Sequence, residues 1–173
     1  MKELKSIDYE IISELIKNSR LSDRQLAKIL KTSQPTVTRR RTELERGRLL
    51  DYTAIPDLKK LGFEILAITF GKWKTQLYGD RKIEAAKAFM SKHSNIIFVS
   101  TGMGLDYDRV AISFHKSYSD YSLFMRELRQ EWAPYAGSPQ SFIISLKSDN
   151  ILRNLTFKYL TKQFRQSNSQ EKL

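Results

Sequence analysis

Eight residues in one short stretch have the types and spacing to do chemistry: Gln34, Pro35, Thr36, Thr38, Arg39, Arg40, Thr42 and Arg46, with Arg48 just beyond them. Placed on a helix, Val37 and Leu44 share one side, while Gln34, Thr38, Arg39, Thr42 and Arg46 fall on the other and Arg40 lies at the boundary. The chemistry such a face supports is reading of nucleic acid. Arginine grips guanine bidentately, glutamine grips adenine, and threonine offers a methyl or a hydroxyl to several bases. Arg40, Arg46 and Arg48 are better suited to phosphates, which position a protein on a duplex without reading its sequence. A basic run on an arbitrary helix is ordinarily only a solvated face, so the surrounding elements decide.

Those elements are three short helices. Ser6-Ile7-Asp8 offers an N-cap, and Ile11, Ile12, Leu15 and Ile16 form one apolar face before Asn18-Ser19-Arg20 stops the helix. Ser22 opens a second helix, with Gln25 three residues on completing a capping box, and Leu26, Ala27, Ile29 and Leu30 as its apolar positions. Lys31-Thr32-Ser33 is a tight turn. Ser33 caps a third helix from about Gln34 to Arg46, and Pro35 falls in its first turn, where a missing N–H costs nothing. Beyond Gly47, residues 49–55 alternate as a strand or wing until Pro56. Three helices, a short turn and a following wing make a winged helix-turn-helix, whose third helix lies in the major groove. Arg20, Ser22 and Ser33, at the helix ends nearest that face, complete the candidate DNA-contact set.

The charge agrees. Thirty Lys and Arg against nineteen Asp and Glu leave +11, which favours a polyanionic partner. The excess is +5 over residues 1–60, +2 over 61–146 and +4 over 147–173, so it sits at the two ends. There is no cysteine, which removes disulfides and thiolate chemistry. No apolar run approaches the roughly 18 residues of a membrane span, and Met1-Lys2-Glu3-Leu4-Lys5 starts no secretory signal. A cytoplasmic protein with no membrane partner is expected.

Residues 57–147 read differently. Strands are expected at Phe63–Phe70, Asn95–Thr101, Arg109–Phe114 and Ser141–Leu146. One helix is expected from Ile83 to Ser91, packing through Ala85, Ala86, Ala88, Phe89 and Met90. Another is capped by Ser119 or Asp120, with Tyr121, Phe124, Met125, Leu128 and Trp132 on one stripe. The order βαββαβ implies a ferredoxin-like sheet with both helices on one face. The other face must be covered, and pairing with a second copy is the simplest cover. The overall class is therefore α+β: a winged helix-turn-helix over 1–56, a ferredoxin-like domain over 57–147, and a basic amphipathic helical extension over 148–173. In that extension Ile151, Leu152, Leu155, Tyr159, Leu160 and Phe164 follow helical spacing, packing on the sheet or on a partner subunit, with extra phosphate contact or a surface anchor as the alternatives; Gln166–Leu173 is polar and expected to fray.

The order and spacing of these residues resemble the feast/famine (Lrp/AsnC) transcriptional regulators. The likeness runs through Ile7-Asp8, Ile11-Ile12, Leu15, Asn18-Ser19-Arg20-Leu21-Ser22, Leu26-Ala27, Ser33 to Arg40, Leu44-Glu45, Tyr52-Thr53-Ala54 and Leu61-Gly62-Phe63. Two positions depart from it: Arg41 stands where an aliphatic residue is usual, and the glycine before the wing is displaced to Gly47. The resemblance implies a homodimer, assembly into larger rings, and an amino acid or similar small molecule as effector bound between subunits. It also points to the loop Thr101-Gly102-Met103-Gly104-Leu105-Asp106, the counterpart of a Gly-x-x-Asp pattern that here reads as a one-residue insertion. Thr101, Gly102, Gly104 and Asp106 are thus the candidate effector residues, although the glycines could equally serve only to turn a hairpin.

Catalytic chemistry finds little footing. His93 and His115 are far apart and lack ligand spacing; each is expected at the surface or a strand edge with its hydrogen bonds satisfied. Asp106 and Asp108 flank a turn with no third ligand or base, the setting of solvated loop acids. A haem-pathway decarboxylase branch resembles these regulators in plan, but its His-Asn-Tyr-x-Arg stretch has no counterpart in Ile96-Ile97-Phe98-Val99. No catalytic residue, metal site or cofactor is expected. The reading is a sequence-specific DNA-binding regulator; the alternatives are an architectural DNA-binding protein with little sequence preference and, on the same plan, a small-molecule enzyme.

Overall fold

The structure is a computed structural model that describes residues 4–74, 80–149 and 151–164, with the side chains of 80–83 and 85 outside that description. The chain forms two compact units. One comprises the residues up to Ile55 together with those from Arg153 on; the other runs from Pro56 to Leu152.

The first unit holds α1 (Ser6–Lys17), α2 (Asp23–Ile29) and α3 (Gln34–Arg46). Its core is Ile11, Leu15, Leu26, Ala27, Val37 and Leu44, the apolar stripes of all three helices turned onto one another. Ile29, expected in that core, is exposed: α2 is only two turns long, and its inward side is filled by Leu26 and Ala27. The cap of α1 is also displaced. Lys5 is the N-cap, and Asp8 reaches back to accept the Lys5 backbone N–H at 2.7 Å, so Ser6 is already helical.

No wing forms. Residues 49–55 form no strand and pair with none among the described residues. Alternation gives a strand a face, yet a wing needs a second strand to bond to. This segment is held by side chains instead, with Leu50 against the three-helix core and the Tyr52 hydroxyl donating to Glu45 at 2.8 Å. The C-terminal extension is likewise not the continuous helix its spacing suggests. Residues 151–156 are irregular, a 3-10 turn spans Phe157–Leu160, and helical residues 161–164 follow. That segment packs on α1 rather than on the sheet: Thr161 is buried, and the Ser13 hydroxyl donates to its carbonyl at 3.4 Å. Arg165 and the polar Gln166–Leu173 lie outside the described residues.

The second unit is β1 (Ile65–Gly71), α4 (Asp80–Lys92), β2 (Ile96–Gly104), β3 (Tyr107–His115), α5 (Tyr118–Trp132) and β4 (Gln140–Ser145). The sheet order is β2-β3-β1-β4, antiparallel throughout, which is the ferredoxin-like arrangement. Alternation along β1 sends Ile65, Ala67 and Thr69 toward the helices, where they meet Phe89, Tyr121, Phe124 and Met125. The opposite face carries Leu66, Ile68 and Phe70, flanked by Ile112 and by exposed Phe98 and Phe142. The α5 cap is Ser117, whose hydroxyl accepts the Asp120 backbone N–H at 3.1 Å, rather than Ser119 or Asp120. Among the described residues no helix is long and apolar enough to cross a membrane.

Candidate nucleic-acid interface

Helix α3 is fixed at its start and along one side. The Ser33 hydroxyl accepts the Thr36 backbone N–H at 3.3 Å and contacts the Thr36 hydroxyl at 2.8 Å, so both side chains are engaged in the cap. Ser22 does the same for α2: its hydroxyl accepts the Gln25 N–H at 3.3 Å, and its own N–H donates to Gln25 Oε1 at 2.8 Å. Ser22, Arg24 and Gln25 at the start of α2, and Ser33, Gln34 and Pro35 at the start of α3, are exposed.

The third anchor is ionic. Arg40 does not face solvent as a phosphate contact would require; it is buried, with Nε donating to Asp8 Oδ1 at 2.6 Å and Nη2 to Asp8 Oδ2. Its Nη1 donates to Glu43 at 2.7 Å. The bidentate hydrogen bond to Asp8 holds the Arg40 guanidinium above its ordinary pKa, against the opposing effect of burial. Val37, Arg40 and Leu44 share one inward stripe, so the boundary placement on the wheel falls on the core side. Arg40 is therefore removed from the DNA-contact set, because its charge is already spent on a buried carboxylate.

What remains outward is Gln34, Pro35, Thr38, Arg39 and Arg46, with Thr42 half-buried beside them and Arg48 exposed past the helix end. Arg39 lies over Glu43 at 3.3 Å while staying 62% exposed, a loose surface pair that a better acceptor could displace. The Thr38 hydroxyl donates to Asp23 at 2.7 Å, linking α3 to the start of α2, and the Thr42 hydroxyl donates to the Thr38 carbonyl at 2.8 Å. Arg20 is exposed ahead of α2, and Arg24, Lys28 and Lys31, none of them singled out by sequence, extend the basic surface along it.

Arg41 turns out to be a staple. It donates to the Leu21 carbonyl at 3.0 Å, to Asp23 at 3.1 Å, to Glu45 at 3.0 Å and to the Tyr52 hydroxyl at 3.0 Å, and its guanidinium lies 5.2 Å from the Tyr52 ring. Burial pulls its pKa down, but these hydrogen bonds outweigh that and leave it raised. Burial likewise raises the Tyr52 phenol, helped by its bond to Glu45. The charged side chain thus replaces the usual aliphatic residue by bonding every group it meets.

The candidate effector stretch is not an open loop. Thr101, Gly102 and Gly104 belong to β2, and Leu105-Asp106, both at positive φ, form a two-residue hairpin turn. The register passes from Thr101–Arg109 to Gly104–Tyr107, so Gly102 and Met103 together oppose Asp108. One extra residue is taken up as a β-bulge. Asp106 is exposed and ion-paired to Lys72, and Asp108 accepts the Trp73 backbone N–H at 3.2 Å. His93 lies against Phe89, with ring centroids 4.1 Å apart. His115 is fully buried rather than at the surface, hydrogen-bonded to the Ser113 hydroxyl at 2.9 Å. Among the described residues no three His, Cys, Asp or Glu side chains gather as metal ligands would.

With this geometry in place, known proteins give it a lineage. Residues 4–45 match the AsnC-type helix-turn-helix domain. The chain is 33% identical over 127 residues to an HTH-type transcriptional regulator of Pyrococcus furiosus, covering 73% of this chain and 82% of that one. It is 39% identical over 97 residues to LrpC of Bacillus subtilis, covering 56% and 64%. A 39% identical match to a Pyrococcus abyssi regulator spans 43% of that relative, so part of the similarity is confined to less than two thirds of the relatives' lengths. The solved structure of LrpC superposes with a TM-score of 0.69 at 31% identity, covering 86% of this chain and 99% of LrpC. The chain belongs to the Lrp/AsnC family of helix-turn-helix transcriptional regulators. A Neisseria meningitidis regulator solved as a complex with L-Met superposes with a TM-score of 0.75 over 90% of this chain and 96% of its own, a likeness of fold at 18% identity.

Within this Lrp/AsnC regulator, sequence reasoning missed Asp8, Arg41 and Tyr52 as the residues that hold α3 in place. Asp8 had a readable signal, since it sits three and seven residues before Ile11 and Leu15 on the core stripe of α1. An acid on a core stripe requires a buried partner. Arg41 to Tyr52 had none, because that contact depends on the path of the chain after Gly47.

Proposed function

We propose that this Lrp/AsnC protein is a sequence-specific regulator that binds double-stranded DNA through α3, as a homodimer or a larger assembly of such dimers. The observation that carries the reading is one helix with two opposed faces. Its inner face is locked by Val37, Leu44 and the Arg40–Asp8 pair, and its outer face presents Gln34, Thr38, Arg39 and Arg46 to solvent. A rigid helix with base-reading and phosphate-binding side chains on its free side is what the major groove accepts. Arg20, Ser22, Ser33, Pro35, Thr36, Thr42 and Arg48 supply or support the surrounding phosphate contacts. A second copy brings a second helix to a pseudo-palindromic site, and the apolar sheet face with Phe98 and Phe142 is the surface that pairs. The protein works with DNA in the cytoplasm and carries no enzymatic activity.

An effector at the β2–β3 hairpin, around Thr101, Gly102, Gly104 and Asp106, is part of this reading, and the L-Met complex of the Neisseria protein makes amino acids the compounds to test. A second reading is favoured by the charge of +11: an architectural protein that coats DNA with little preference. Genome-wide mapping of bound sites, with footprinting against competitor DNA over a salt series, separates them. Discrete peaks sharing a consensus support the regulator; uniform occupancy lost steeply with salt supports the architectural protein.

A further inference from the structure

The ferredoxin-like unit holds a half-open cleft of about 300 Å³ between the helix-facing side of its sheet and its two helices. That is the lower end of small-molecule sites. Its walls are aromatic and aliphatic. Trp73 and Trp132 meet edge to face at 5.3 Å, Phe89 stands at 80° to Trp132 at 5.9 Å, and Leu128 completes the wall.

Lys72, Arg109, the hydroxyls of Thr69, Ser100 and Thr101, and the Trp132 indole N–H break the apolar lining. The Trp132 indole N–H is buried without a hydrogen-bond partner, a donor that a buried ligand oxygen would satisfy. The Arg109 guanidinium lies 5.2 Å from the Trp73 ring; its Nη1 donates to the Asp108 carbonyl at 2.6 Å, and its ion pair to the Asp108 carboxylate is long, at 3.8 Å. The described residues that line the cavity include no Asp or Glu but do include the cations Lys72 and Arg109, which favour a carboxylate over an ammonium group.

The geometry points to a binding site for a small monocarboxylate with an aromatic or branched apolar body and no amino group. The body fills the cage of Trp73, Phe89 and Trp132, while the carboxylate takes the Arg109 fork and the Trp132 N–H. This site lies inside one protomer and shares Thr101 with the candidate effector stretch, while its ligand class differs from an amino acid's. It goes beyond the DNA-binding reading and does not rest on it.

The test uses the full-length protein and its two tryptophans, Trp73 and Trp132, as the fluorescent reporters. Phenylacetate and 4-methylpentanoate are titrated, with phenylacetamide and L-phenylalanine as the neutral and amino-acid comparisons. Saturable fluorescence changes are expected for the two acids at about 0.1–1 mM, with both comparisons weaker by about tenfold. Arg109→Gln should weaken phenylacetate by about tenfold and leave phenylacetamide unchanged. Ala86→Phe, which fills the cavity, should abolish binding, with an unchanged or raised Tm showing that the unit is folded. No saturable change with either acid, equal phenylacetate binding by Arg109→Gln, or tighter binding of L-phenylalanine would overturn the proposal.

Discussion

Asp8 and Arg40 are each buried, and each is tolerable only because the other is present. Removing one partner leaves an uncompensated charge in the core. Arg40→Ala should therefore cost about 3–5 kcal/mol in urea unfolding, whereas Arg39→Ala, at the exposed neighbouring position, should change stability by less than about 0.5 kcal/mol. Of these adjacent arginines, Arg40 is structural, and the proposed DNA-reading role falls to Arg39. His115 provides a second residue-level test. Its burial holds the imidazole below its usual pKa, partly opposed by Asp120 at 3.9 Å. The folded state therefore takes up a proton less readily than the unfolded chain. The His115 contribution is complete above the ordinary value of about 6.5 and is lost as pH falls from there toward the lowered folded value. Tm measured from pH 7.5 to pH 5 should fall more steeply for the parent than for His115→Gln.

Elements were legible where the signal was local. The caps at Ser22 and Ser33, the three apolar stripes and the βαββαβ order all follow from neighbours within a turn or a strand. The failures were non-local. The wing lacked a second strand, Arg40 needed a carboxylate 32 positions away in α1, and the tail helix lost its continuity before packing against Ser13. At α5 three hydroxyl or acid residues stood within four positions, and the backbone, not composition, settled the cap on Ser117. The Ser33 cap carries a prediction at this scale. Ser33→Ala removes the acceptor for the Thr36 N–H and should cost about 1 kcal/mol by chemical denaturation. Its DNA affinity should fall with the fraying of the first turn of α3, while Ser33→Asp, which caps equally well, should restore stability.

At the scale of the whole molecule, the sheet has one face covered by its own helices and one that is not. An apolar face holding Phe98 at 49% and Phe142 at 64% exposure is too large to leave in water. Phe142→Asp should shift the protein from dimer or larger toward monomer in light scattering. If a dimer persists unchanged, the sheet face is not the pairing surface. Losing the second copy should also weaken operator binding steeply, because one recognition helix then reads only a half-site.

The central claim is that the outer face of α3 reads DNA while its inner face only holds it in place. Titrating Arg39→Ala and Arg46→Ala against an operator and against random duplex at fixed salt tests this most directly. Arg39→Ala should lose about 1–3 kcal/mol on the operator and little on random DNA, while Arg46→Ala should weaken both alike and reduce the salt slope by about 1. Parent-like operator affinity in both variants would contradict the assignment of α3.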